Sequence, residues 1–68
     1  MELTLHIVLK ELRKTHKYSR DYLAKYMNIS VQAYGHWETG IRKPSIEDLI
    51  KLADLYGVSL EYLVGRYK

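Results

Sequence analysis

Sixty-eight residues make one small domain, near the lower end of what folds without disulfides or metals. The chain contains no cysteine, which excludes a disulfide framework and any thiolate metal site and leaves packing to supply the stability. The formal charge is only +3, yet residues 10–43 hold eight cations against three anions, an uneven placement that favours an anionic partner along that stretch.

Punctuation divides the chain into five predicted helices. The first covers about residues 4–15, where Leu5, Val8, Leu9 and Leu12 recur at helical spacing. Leu3, Leu5 and Ile7 also alternate as a strand would, so the extreme N-terminus reads both ways. Arg13, four residues after Leu9, falls beside the apolar stripe, an awkward place for an unpaired cation. The second helix starts after Ser19, whose hydroxyl can accept an unpaired N–H of the first turn, and runs from Arg20 to about Met27 over buried Leu23, Ala24 and Met27. Asn28 stands where a left-handed residue ends a helix. Ser30 caps the third helix, which reaches about Thr39 and stops at Gly40. Ser45 opens the fourth, with Glu47 and Asp48 favourably placed in its first turn. Ile46, Leu49, Ile50, Ala53 and Tyr56 define its expected inward stripe, with Leu52 and Leu55 widening it, and so apolar a helix is expected at the centre of the core. Gly57 ends it, and Ser59 caps a last helix from Leu60 to about Val64.

The second and third helices, joined by a tight turn, have the proportions of a helix-turn-helix unit that suits the DNA major groove. Gln32 and His36 are polar positions of the third helix, and Arg42 and Lys43 follow it. Glu38 lies near the C-terminal end of that helix, where the dipole disfavours an anion. A salt bridge between Arg13 and Glu38 would resolve two awkward placements at once. Trp37 falls at helical spacing from the core and reads as a packing residue rather than a base-stacking one. The tyrosine surplus, including Tyr22, Tyr26, Tyr62 and Tyr67, has no explanation at this level.

Several of these segments together carry a resemblance. They are Leu9-Lys-Glu-Leu-Arg13, Tyr18-Ser-Arg-Asp-Tyr-Leu-Ala24, Asn28-Ile-Ser30, Trp37-Glu-Thr-Gly40, Arg42-Lys-Pro-Ser45 and Leu49-Ile-Lys-Leu-Ala53. In this order and separation, continued by Gly57-Val-Ser-Leu-Glu-Tyr-Leu-Val-Gly65, the chain resembles the Cro/CI (Xre) family of repressors over about residues 5–66. The resemblance implies an all-α, five-helix lambda-repressor-like bundle, its helix-turn-helix formed by helices two and three. It also implies that Val31, Gln32, Ala33, Gly35 and His36 face the bases, and that Thr39, Arg42 and Lys43 hold phosphates. Gln32 has the amide that pairs bidentately with adenine N6 and N7, Val31 can meet a thymine methyl, and His36 can donate to guanine or phosphate. Arg20, at a helix start, adds charge to free N–H groups and is a further phosphate candidate.

Departures accompany the likeness. Gly35 costs about 1 kcal/mol in a helix, and either permits close approach of the DNA backbone or is simply tolerated. Tyr34 stands where the family usually has a smaller apolar residue, so its hydroxyl needs a partner or solvent. Ile41 replaces a frequent cation. The family also pairs an arginine and a glutamate at the positions of Arg13 and Glu38. Its dimers often meet near the C-terminus, where Tyr62, Leu63, Val64 and Tyr67 cluster, although these could instead cover the bottom of the core.

No linker, repeat or low-complexity segment divides residues 1–68, so one domain is expected. No apolar run approaches the roughly 18 residues that span a bilayer. The first ten residues lack a basic n-region and a cleavage site, so a cytoplasmic protein without a signal peptide is expected. Three scattered histidines, no paired carboxylates and no phosphate-binding glycine loop give no support for catalysis, a metal or another cofactor. No small-molecule ligand is implied. The expected function is a transcriptional regulator, a repressor binding a palindromic operator as a homodimer. An antitoxin that represses its own operon is the second reading, and a protein-interaction adaptor the third.

Overall fold

A computed structural model describes residues 4–65 as five helices: α1 (Leu5–Thr15), α2 (Arg20–Met27), α3 (Val31–Thr39), α4 (Ile46–Tyr56) and α5 (Leu60–Leu63). Each of the last four begins at a serine whose hydroxyl accepts an N–H three residues on: Ser19 from Tyr22, Ser30 from Ala33, Ser45 from Asp48 and Ser59 from Tyr62. At Ser45 the Asp48 carboxylate accepts the serine's own N–H at 3.2 Å, completing a capping box. α1 lacks such a cap. Instead the Thr4 N–H donates to the Val64 carbonyl at 3.2 Å, tying the start of α1 to the end of α5.

The helix ends repeat one device. Lys17, Asn28 and Gly57 all adopt left-handed backbone, and the following N–H reaches back to a carbonyl five residues earlier. These bonds are Tyr18 to Arg13, Ile29 to Ala24 and Val58 to Ala53, each 2.9–3.0 Å. Lys17 does this without the short polar side chain that usually favours the conformation.

The described termini of the helices agree with the sequence reading to within a residue, and Leu5 and Ile7 belong to α1 rather than to a strand. The core gathers Leu9, Leu23, Tyr34, Leu52 and Leu63, all fully buried, around Val8, Ala24, Met27 and Trp37. Two expectations for α4 need correction. Its buried face is Leu49, Leu52, Ala53 and Tyr56, while Ile46 and Ile50 are 67% and 45% exposed. At about 100° per residue, Ile50 is turned well away from the Leu49–Leu52–Ala53–Tyr56 stripe, and Ile46 is the first residue of the helix. Nor is α4 the hub. α3 approaches both α1 and α2 closely, whereas α4 pairs most closely with α5. The large side chains Tyr34 and Trp37, edge to face at 5.9 Å between ring centres, explain how so polar a helix fills the centre.

The surplus tyrosines have a structural use. Tyr18, Tyr22 and Tyr26 stack along α2, with centres 4.7 and 6.5 Å apart. Tyr18 also meets Tyr56 of α4 at 6.1 Å, and the Lys51 ammonium of α4 lies 4.9 Å from the centre of the Tyr26 ring. This ladder connects α2 to α4.

Candidate nucleic-acid interface

α3 presents one face outward and is held by the other. On the outward side Val31 and Gln32 are exposed, Ala33, Gly35 and His36 half-buried. Ser30, Gln32, Ala33, His36 and Arg42 line a shallow recess of about 240 Å³. Thus Gln32, Ala33 and His36 share one surface with Arg42, although Arg42 comes from the loop after the helix. The loop is folded back by two bonds to a single acceptor. The His36 carbonyl accepts the Arg42 N–H at 3.2 Å and the Thr39 hydroxyl at 3.3 Å. Gly40 makes that reversal at φ +82°, with the His6 ring 3.6 Å from where a Cβ would stand.

The Thr39 hydroxyl therefore spends its proton inside the loop, leaving only its lone pairs outward, which suits a phosphate less well than a free donor would. Arg42 and Lys43 are exposed and form no ion pair among the described residues. Ile41 beside them is also exposed. At Gly35 a Cβ would meet nothing within 4 Å, so packing within the protein does not require glycine there.

The inward side is organised by Glu38, whose side chain is 1% exposed. Arg13 holds it from α1 in a two-pronged arrangement: Nε donates to Oε2 at 2.7 Å and Nη2 to Oε1 at 3.2 Å. Arg13 Nη1 also donates to the Tyr18 carbonyl. The Tyr34 hydroxyl, within α3, donates to Oε2 at 2.6 Å. Arg20 of α2 brings Nε to 3.4 Å from Oε1. One carboxylate so joins three helices.

Burial works to raise the Glu38 carboxyl. The Arg13 and Tyr34 hydrogen bonds, with the charges of Arg13 and Arg20, outweigh it and hold the group below its ordinary value. Burial, then the bond to Glu38, pushes the Tyr34 hydroxyl far up, keeping it a donor.

Two of these partners escaped sequence reasoning. Tyr34 precedes Glu38 by four residues, one turn, and that spacing was the available signal. Arg20 read as a free phosphate contact, but its Nε edge faces Glu38 while its side chain stays 47% exposed. The proposed dimer residues separate as well. Leu63 is fully buried in the monomer core, so it is not available to a partner, and the alternative that it covers the core applies to it. Val64 is half-buried, Tyr62 is at the surface, and Tyr67 lies outside the described residues.

With this geometry, comparison with known proteins becomes informative. The helix-turn-helix family HTH_3 matches residues 9–63, which include every element of the recess and of the Glu38 cluster. The chain belongs to the Cro/CI-type helix-turn-helix family. Among its relatives, the HTH-type transcriptional regulator AnsR of Bacillus subtilis is 42% identical over 60 residues, covering 88% of this chain and 52% of AnsR. The cryptic phage CTXphi transcriptional repressor RstR of Vibrio cholerae is 32% identical over 59 residues, covering 87% of this chain and 53% of RstR. A crystal structure of a transcriptional regulator from Listeria innocua superposes with a TM-score of 0.95 at 28% identity, over all of this chain and 64% of that one. The chain spans about half the length of the curated relatives it matches. What this Cro/CI-type domain shares with them is the helix-turn-helix module of DNA-binding transcriptional regulators. No helix among the described residues is long and apolar enough to cross a membrane.

Proposed function

We propose that this domain directs sequence-specific repression of transcription in the cytoplasm, placing α3 in the major groove of an operator. The observation that carries the reading is the shared outward surface of Gln32, Ala33, His36 and Arg42, on a helix whose other side is fixed by the buried Glu38 cluster. A reader must be rigid, because bidentate pairing with a base edge tolerates little angular error. Gln32 reads an adenine, Val31 meets a thymine methyl, and His36 donates to a guanine or a nearby phosphate. Ala33 and Gly35 let the helix sit close. Arg42, Lys43 and the exposed edge of Arg20 hold phosphates, with Thr39 a lesser contributor because its proton is already used.

Repression follows from occlusion of polymerase, and the repressor RstR among its relatives supports that sign of regulation. Two copies on a roughly palindromic operator would set their reading helices about 34 Å apart. Of the residues proposed for pairing, Tyr62 and Val64 are at least partly exposed.

Selection from a random duplex pool at physiological salt tests the proposal. An enriched motif with inverted half-sites supports it, and enrichment of no motif removes it.

A further inference from the structure

Beside the α3–α4 loop lies a second hollow, of about 360 Å³, which shares Arg42 with the recess of Gln32 and His36 but none of the other residues of that recess. Leu5 of α1, Trp37 of α3 and Leu49 of α4 form its apolar walls, and His6, Arg42 and Lys43 stand around it. Among the described residues, no carboxylate lines it and neither Arg42 nor Lys43 has an ion-pair partner. Its size falls within the range of small-molecule sites, and an apolar body with a few convergent polar groups is the usual chemistry of such sites.

From this we infer that the cleft binds a small amphipathic carboxylate, the hydrocarbon against Leu5, Trp37 and Leu49 and the carboxylate on Arg42 and Lys43. The apolar walls disfavour a polyanion, which would bury unpaired charge. Arg42 and Lys43, without an ion-pair partner among the described residues, favour an anionic head over a neutral hydrocarbon, because a charge-assisted hydrogen bond is about twice as strong as a neutral one. His6 can offer a further ring N–H.

Arg42 also lines the recess that carries Gln32 and His36. A carboxylate in the cleft and a phosphate outside it therefore compete for one guanidinium. Ligand binding weakens DNA binding, and DNA weakens ligand binding by the same factor. This coupling rests on the proposed DNA-binding function; occupation of the cleft does not.

Trp37 is the only tryptophan, so its emission reports on the cleft directly. The full chain is titrated with octanoate, which does not absorb where tryptophan is excited, and separately with octanol, in the absence of DNA. Octanoate should give a saturable change with a Kd on the order of 1 mM, and octanol should bind at least about tenfold more weakly. In the Arg42→Gln/Lys43→Gln double variant octanoate should fall to the octanol level, with circular dichroism unchanged because both positions are exposed. A response that does not saturate, that is equal for octanol, or that survives the double substitution overturns the site. Repeating the wild-type titration with selected operator DNA then separates the two proposals. Saturable octanoate binding by a chain that selects no operator leaves the cleft standing and removes the DNA reading. Operator affinity unmoved by saturating octanoate removes the coupling.

Discussion

Glu38 sets the stability of α3 because every one of its partners stands on a different part of the structure. Arg13 comes from α1, Arg20 from α2 and Tyr34 from α3 itself. Replacing it as Glu38→Gln leaves the Arg13 guanidinium buried without its counter-charge, and should cost about 3–5 kcal/mol in chemical unfolding. The same group fixes the acid response. Its folded carboxyl lies below the ordinary 4.5, so as pH falls the unfolded chain takes up this proton first. The contribution is complete above about pH 4.5 and is lost as pH falls through the folded value. Melting temperatures from pH 7 to pH 3 should therefore show a decline below pH 4.5 that is weaker in Glu38→Gln; parallel declines in the two proteins would contradict this. Tyr56 behaves oppositely. Its hydroxyl is buried with no hydrogen-bond partner among the described residues. Since an unsatisfied buried hydroxyl costs about 1–3 kcal/mol, Tyr56→Phe should leave stability unchanged or raise it, and a lowered melting temperature would show that the hydroxyl is bonded after all.

At the scale of elements, the helices were legible because their limits are local chemistry. Serines cap four of them, and Asn28, Gly40 and Gly57 end three in left-handed backbone. The inward face of α4 was less so. Seven apolar side chains on eleven residues offer several faces, and only packing against α5 and its neighbours chooses Leu52 over Ile46 and Ile50. The Tyr34 hydroxyl needs a partner, as its residue type implies, and the structure supplies the one the sequence does not name: Glu38, one turn on. For Leu63 the family likeness, whose dimers often meet near the C-terminus, and cover of the core were both open, and its complete burial favours the second. α3 gives a test at this scale. With nothing near its missing Cβ, Gly35→Ala should stabilise the domain by about 1 kcal/mol through helix propensity alone. If glycine serves close approach to DNA, the same variant binds operator more weakly despite its higher melting temperature. Unchanged operator affinity would make Gly35 merely tolerated.

Over the whole molecule, the buried and exposed sides of α3 have separate duties joined through one short helix. Inside, a carboxylate fastens α3 to α1 and α2; outside, Gln32, His36 and Arg42 share a surface. The likeness to the family could place these residues in sequence, but the sharing of Arg42 between two hollows needs the folded loop. The central claim is that Gln32 reads sequence rather than merely adding affinity. The most direct measurement is the affinity of wild type and Gln32→Ala for every single-base variant of the selected operator at fixed salt. The account predicts that Gln32→Ala loses discrimination of about 1–3 kcal/mol at one position in each half-site, an adenine, and keeps it elsewhere. An equal loss of affinity for all variants, with every preference intact, would contradict it.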